Sequence, residues 1–495
     1  MKRISHTLLL TLLLLPLAAI TLTLSACDDE EQFTTDPTAT ITFSQDTISF
    51  DTLFSRTIST TQRFCVYNHG SKSLRLSTVT LASGGTSGFM INVDGQSGDN
   101  IQDVAIGDGD SIFVFVKVLL SAQLSPTPVL CSDDIIFRLE SGQESKVHLQ
   151  ASGQDCEVKT AYTFTSDTTL TSVGLPIVVF DSLVVAPTAT LTLQEGTTLY
   201  FHNGATLIVH GSLRVNGKAD SPVIFRGDRL DRMFTYLPYD RLENQWGGIT
   251  LTPSSHDNHI DHADIHSSSS GLLCQRPSDS LSVTNTVIHN IGGYGLYLED
   301  CRATIANTQV SNCRYDCVNI VGGSTLFYHC TLAQFCPWTA DRGSALTISD
   351  FTYTATESQP NFSATESEPT IVPIERAHFY NCLVTGYAND EVYASFKEEK
   401  EDRQVRFHHC VLLTDVKDPT YFDTCVSDSP DSLTYRDTHF RTFDTHAFLY
   451  DFRLDSLSTA RAKGSPDYSR LFPTDPDGNE RGDRPDAGCY QYPLQ

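Results

Sequence analysis

From Ala39 to about Gly153, apolar and polar residues alternate in short runs. Examples are Ile41-Thr42-Phe43, Phe64-Cys65-Val66, Leu74-Arg75-Leu76, Ile112-Phe113-Val114-Phe115-Val116, Ile135-Ile136-Phe137 and Val147-His148-Leu149. A period of two turns every second side chain to one face, so each run predicts a half-buried β-strand. Turn residues separate the runs at Asn68-His69-Gly70, Ser83-Gly84-Gly85, Asp94-Gly95 and Gly107-Asp108-Gly109-Asp110. Short strands at this spacing, with no helical period among them, predict an antiparallel sandwich over residues 39–153.

Beyond residue 157 the pattern changes from simple alternation to a long repeat. Six segments share an apolar residue, any residue, Asn or His, a small residue and then an aliphatic. They are Ile260-Asp261-His262-Ala263-Asp264-Ile265, Val283-Thr284-Asn285-Thr286-Val287-Ile288, Ile305-Ala306-Asn307-Thr308-Gln309-Val310, Phe327-Tyr328-His329-Cys330-Thr331-Leu332, Phe379-Tyr380-Asn381-Cys382-Leu383-Val384 and Phe407-His408-His409-Cys410-Val411-Leu412. The Asn/His column advances from 262 to 285, 307 and 329, a period of 22 to 23 residues. A second apolar column follows at Gly271-Leu272-Leu273-Cys274, Gly295-Leu296-Tyr297-Leu298, Cys317-Val318-Asn319-Ile320, Ala345-Leu346-Thr347-Ile348 and Glu391-Val392-Tyr393-Ala394. Each coil of a stacked array therefore has at least two strands. Equivalent residues repeat about 4.8 Å apart, giving a continuous aliphatic core and an Asn/His side-chain ladder. Less regular coils precede these at Leu191-Thr192-Leu193, Thr206-Leu207-Ile208-Val209, Ser212-Leu213-Arg214-Val215 and Pro222-Val223-Ile224-Phe225. Where the column jumps from 329 to 381, the polar stretch from Thr354 to Pro373 reads as a loop thrown out of the stack, and Lys397 to Arg406 as a second charged loop.

With Leu193-Gln194-Glu195-Gly196, Gly211-Ser212-Leu213 and Trp246-Gly247-Gly248-Ile249 as turns, the region from about Ala161 to Gln495 resembles the pectin-lyase-like right-handed parallel β-helix proteins. The Asn-x-Gly turn and the late Gly-Asp turn of residues 39–153 resemble Hydin-type immunoglobulin-like domains, which act as spacers or adhesive modules. The fold class expected is therefore all-β: an N-terminal immunoglobulin-like β-sandwich followed by a right-handed parallel β-helix over residues 157–460. Residues 461–495, with Asp475-Pro476-Asp477-Gly478-Asn479-Glu480-Arg481 and Pro485-Asp486-Ala487-Gly488-Cys489-Tyr490, resemble the closing segment of secreted bacterial β-helix proteins and are expected to cap the open end.

The N-terminus sets the compartment. Lys2 and Arg3 precede an apolar run from Leu8 to Leu24, the order of a secretory signal over residues 1–26. Leu24-Ser25-Ala26-Cys27 resembles the lipobox of bacterial lipoproteins, which implies that Cys27 carries the lipid. Asp28-Asp29-Glu30-Glu31 resembles the export signal of surface-exposed lipoproteins of some Gram-negative bacteria, so residues 27–38 are expected to form an acidic tether. The resemblance implies an outer membrane lipoprotein, displayed at the cell surface or, as the alternative, facing the periplasm.

With 60 acidic and 34 basic residues the chain carries −26, and loss of Lys2 and Arg3 takes it to about −28. Such a field repels phosphate backbones and excludes nucleic acid as a partner. Fourteen cysteines leave thirteen once Cys27 is lipidated, an odd number, and no CxxC pair with a matching partner supports a structural zinc. Cys330, Cys382 and Cys410 share one inward column, where thiols serve as small core residues.

Candidate chemistry is sparse. His256, His259, Asp261, His262, Asp264 and His266 form the densest polar cluster, which on composition could bind a metal such as zinc; the ladder and its flanking solvated face account for it more simply, so no metal and no cofactor are expected. Ile260-Asp261-His262 echoes a pectate lyase motif, yet Arg276-Pro277 lacks the second arginine of those enzymes. Asn285-Thr286 is followed by Val287 where polygalacturonases have an aspartate. The loop from Phe234 to Arg241 and Trp246 offers Tyr236, Tyr239, Arg241 and Trp246 as a candidate sugar-stacking or partner surface, with packing against the first coils as the alternative. Arg226-Gly227-Asp228 and Arg481-Gly482-Asp483 are turn residues. The expected role is a non-catalytic scaffold for a polysaccharide or another envelope protein; the alternative is a polysaccharide lyase or glycoside hydrolase working in a groove along the helix, for which no catalytic residues are identified.

Overall fold

The computed structural model describes residues 32–122, 125, 127–353, 368–397, 404–428 and 439–493. It forms two compact units, one up to residue 123 and over Val129–Gly153, the other over Leu124–Pro128 and from Gln154 onward. Cys27, the signal segment and the start of the tether lie outside the described residues, as do most of the two long loops. Among the described residues no helix is long and apolar enough to cross a membrane.

The first unit is a two-sheet antiparallel sandwich. Gln62–Tyr67, Ser111–Val118 and Phe89–Val93 form the centre of one five-stranded sheet; Glu144–Gln154, Val129–Leu139 and Leu74–Leu81 form the centre of the other. The alternation does the sorting. In Ser111–Val118, Ile112, Val114, Val116 and Val118 are buried, while Phe113, Phe115 and Lys117 between them face outward. Asn68 is the buried polar pin of the early turn: its Nδ2 donates to the carbonyls of Lys72, Ile106 and Gly107, and its Oδ1 accepts from Gly70 N.

The second unit is a right-handed parallel β-helix with three strands per coil, one more than the minimum read from the two columns. The coil Asn258–Asp261, Ala263–His266 and Leu272–Gln275 is followed by Leu281–Thr284, Val287–Ile291 and Leu296–Glu299, each strand parallel to its predecessor. Its core is a set of stacked columns, one of which runs Val215, Ile260, Val283, Ile305, Phe327, Phe379 and Phe407. Toward the end the column turns aromatic, and Phe327, Phe379, Phe407 and Phe422 stack with centroids 4.7 to 5.3 Å apart. Full burial of one such ring is worth about 1.5–3 kcal/mol. Cys330, Cys382 and Cys410 are buried thiols in the neighbouring column. Phe351–Thr352 pairs antiparallel with Thr370–Ile371 on either side of residues 354–367, which lie outside the described residues.

The Asn/His column is the corner between the first and second strands. His262, Asn285, Asn307, His329, Asn381 and His409 all have φ between 49° and 55°. This left-handed conformation costs most L-residues about 1–2 kcal/mol, and Asn and His tolerate it better than branched residues. The ladder is real where it links Asp261 to Asn285 (2.8 Å) and Asn285 to Asn307 (3.0 Å), and Asn381 to His329 (3.0 Å).

Residues 461–493 do not simply close the end of the stack, as the sequence led us to expect; they run along this line of corners. Arg481 Nη2 donates to Asn307 Oδ1 (2.7 Å), His329 Nε2 lies 2.9 Å from Ser469 Oγ, Ser465 N donates to Asn381 Oδ1 (2.8 Å) and Cys489 N to Thr331 Oγ1 (2.8 Å). The physical reason is satisfaction: buried corner amides need partners, and this segment brings them. A hairpin, Phe440–Asp444 with Leu449–Leu454, packs Phe440 and Phe452 on Phe335.

Candidate functional site

The corner at His262 divides the polar cluster between two faces. Asp261 stays on the ladder side, where Thr284 Oγ1 (2.6 Å), Asn285 Nδ2 (2.8 Å) and His262 Nδ1 (3.0 Å) surround it. Burial opposes its charge, but these three hydrogen bonds outweigh burial and bring its carboxyl down to about 2. The His256 ring nitrogen Nδ1 lies 3.3 Å from Ser254 O, and His259 stands between Arg214 and Ser282 in the stack. The ladder thus accounts for Asp261 and His262.

It does not account for Asp264 and His266. They point from the second strand toward His289 of the next coil, which is in register with His266. His266 Nδ1 lies 2.8 Å and His289 Nε2 3.2 Å from the same oxygen, Oδ1 of Asp264. The other nitrogen of His266, Nε2, lies 2.8 Å from Asp240 Oδ1, and Arg226 Nη2 lies 2.9 Å from that oxygen. Burial by itself would lower the His266 pKa; the Asp264 and Asp240 carboxylates outweigh it and push it up to about 10. Burial likewise works against the Asp264 charge, and the two imidazoles hold that carboxyl far below the usual range.

Asp240 comes from a loop inserted between Val223–Gly227 and Gly248–Leu251. The loop returns to the stack through Trp246 and two glycines. At Gly248, φ is 112° and a Cβ would sit 1.9 Å from Ser270 O, so only glycine fits. Trp246 is fully buried, stacked on Phe201 at 4.4 Å, with Nε1 donating to His266 O (2.8 Å). Its place in a candidate binding surface is therefore corrected: an indole packed into the core, with its N–H satisfied, offers nothing to a ligand. The others diverge. Tyr239 lies under the Arg229 guanidinium at 3.3 Å; Tyr236 is 42% exposed and stacks on His446 at 4.9 Å; Arg241 Nη1 donates to Ala447 O (2.9 Å). The loop thus docks on the tip of the 440–454 hairpin.

Between loop, hairpin and second strands lies a cleft of about 260 Å³, with His289, Gln309 and Ser311 from successive coils and Arg241, Tyr450 and Arg453 among its lining residues. Gln309 Nε2 donates to Ser311 Oγ (2.9 Å), and Arg453 is held by both oxygens of Asp477 (2.6 and 2.8 Å). His289, Asp240 and the hairpin residues escaped the sequence reading. A signal for His289 was present, because it follows His266 by the 23 residues that separate Asn285 from His262.

Residues 195–334 match the family described as a right handed beta helix region. No curated protein matches the sequence. Among solved structures, a protein of unknown function from Porphyromonas gingivalis W83 is similar at 15% identity over 26% of this chain and 50% of that chain, with a TM-score of 0.18. This chain thus spans half the length of that protein. The PapD-like domain 7 of human CEP192 matches at 15% identity over 26% and 92% of the two chains, TM-score 0.18. A family 123 glycoside hydrolase from Clostridium perfringens matches at 6% identity over 25% and 30%, TM-score 0.18.

Proposed function

We propose that this protein is a lipoprotein anchored through Cys27 at the outer membrane surface, whose β-helix is a non-catalytic scaffold that binds glycan in the cleft beside the hairpin. The observation that supports this reading is the cleft itself. Its floor comes from stacked strands whose backbone is fixed, and its polar groups are amide, hydroxyl, imidazole, guanidinium and the Asp451 carboxylate, with the Tyr450 ring at the side. Rigid donors and acceptors beside an aromatic surface suit sugar hydroxyls and the apolar faces of pyranose rings. A hydrolase needs one carboxylate as acid and another as base. Asp451 in the lining is paired with Arg453 (3.1 Å), and Asp240 and Asp264 behind it are both tied to His266, which favours binding over cleavage.

The test is an array of soluble and immobilised polysaccharides probed with the mature chain carrying Cys27→Ser, read for retention and for new reducing or unsaturated ends. Retention without cleavage, reduced at least tenfold by Arg241→Ala, is the expected result. New chain ends would overturn the scaffold reading, and no retention on any glycan would move the search to an envelope protein. For the anchor, the Cys27→Ser precursor is expected to leave the membrane fraction.

A further inference from the structure

We propose that Asp264, His266 and His289 hold a divalent transition metal, zinc in the first instance, at a site built across two successive coils. One oxygen or nitrogen from each residue lies within 4.8 Å of the others. Zinc takes two imidazoles and a carboxylate at about 2.0–2.2 Å, with ligand atoms then about 3.3 Å apart in a tetrahedron. The contacts of 2.8 and 3.2 Å to Asp264 Oδ1 are close to that spacing, so a small side-chain rotation admits the ion.

Three features separate this cluster from an ordinary ion-pair network. The fold does not require it: the row that begins His266 and His289 continues as Ser311, Ala333 and Thr385, and the Asp264 row runs from Ile224 to Val287 and Gln309. Small, apolar or uncharged polar residues serve these rows. The second feature is the convergence of two imidazoles on one carboxylate oxygen, with both nitrogens of His266 facing carboxylates. The metal takes the place of the proton on His266 Nδ1, which is released, and draws the same three groups together. The third is the outer support. His266 donates its remaining N–H to Asp240, and Arg226 together with the Ser267 hydroxyl, which donates to Asp240 O, fixes Asp240. A ligand histidine oriented by a carboxylate is how metal sites set tautomer and basicity. Three protein ligands leave a fourth position for water or a ligand atom, and His289 lines the cleft. The proposal does not depend on glycan binding.

The experiment is calorimetric titration of the metal-free mature chain (Cys27→Ser) with zinc chloride, repeated with cobalt(II) to read ligand-field absorption. The remaining thiols are a competing source of zinc binding, so the decisive quantity is the difference between variants. His289→Ser places at this position the residue that the next coil carries in the same row, and it keeps the fold. The expected result is loss of one equivalent, or at least a 100-fold drop in affinity, in His289→Ser and in Asp264→Asn, and a drop of about 10–100-fold in Asp240→Asn. His259→Ala is expected to bind as the parent does. Zinc is also expected to raise the thermal midpoint of the parent and not that of His289→Ser. Equal stoichiometry and affinity in parent, His289→Ser and Asp264→Asn would overturn the proposal, as would a parent that binds no zinc.

Discussion

Asn381 is the residue through which the C-terminal segment is fastened to the coils, and its removal has a calculable effect. Its Nδ2 donates to Ser465 O (2.9 Å), Ser469 Oγ (3.3 Å) and His329 Nε2 (3.0 Å), and its Oδ1 accepts from Ser465 N (2.8 Å), all in buried surroundings. Each such bond contributes about 0.5–1.5 kcal/mol net, and a buried group left unpaired costs about 1–3 kcal/mol. Alanine also meets φ of 55° without the local hydrogen bonding that helps asparagine there. Asn381→Ala is therefore expected to destabilise the docked segment by about 3–5 kcal/mol, whereas Asn381→Gly, which relieves only the backbone term, recovers about 1 kcal/mol. A stacked array need not unfold as one unit, so the appropriate assay is local: hydrogen exchange followed by mass spectrometry. Peptides covering 461–475 and 484–493 are expected to exchange about 100- to 4000-fold faster, given about 1.4 kcal/mol per factor of ten, while peptides covering 190–216 stay unchanged. Unaltered protection of 461–475 would refute the account of this segment as held by its corner bonds.

Burial holds His329 well below its ordinary pKa and brings His378 to about 4, with His408 and the nearby arginines adding to the effect on His378. Both folded-state values lie below the unfolded 6.5, so as pH falls through 6.5 the unfolded chain takes up protons that the folded chain refuses; stability is full above that pH and is lost toward pH 4. The thermal midpoint is expected to fall from pH 7 to pH 5, and His329→Asn, which keeps a corner residue of the same column, should flatten the slope by up to about 1.4 kcal/mol per pH unit; an unchanged slope would contradict the assignment. Gly248→Ala puts a Cβ against Ser270 O, and soluble yield or midpoint should drop sharply, by more than about 3 kcal/mol if the chain folds at all. Cys330, Cys382 and Cys410 are buried thiols, so alkylation followed by mass spectrometry should label none of them in the native protein and all of them in denaturant without reductant.

The coil repeat was legible because stacking forces one residue type into each column, and an Asn/His column returning every 22 to 23 residues is the mark of such a stack. The corner conformation behind that column was not legible, since the ladder and the left-handed bend use the same residue types. The sequence cluster from His256 to His266 mixed residues that the corner at His262 turns apart, so its members had to be sorted by face before any could be grouped. Asp240 lay beyond reach for another reason: it arrives on an inserted loop, outside any period. Trp246 shows the limit of composition, because an indole beside two glycines reads equally as an exposed platform or as a core residue closing a tight return. The expectation that Cys27 is lipidated rests on local motif alone, which no long-range packing tests.

The docking of the last thirty residues along the corners has a consequence for how the chain is made. Arg481 closes on Asn307 and Cys489 on Thr331, separations of 174 and 158 residues. Coils can add one upon another as the polypeptide emerges, each using its neighbour as a template. The middle of the stack nevertheless waits, its corner amides uncovered, until the final segment has been made and has returned to them. Such distant contacts slow the closing step, and a chain ended early lacks more than its tail: it leaves the central coils without their seam.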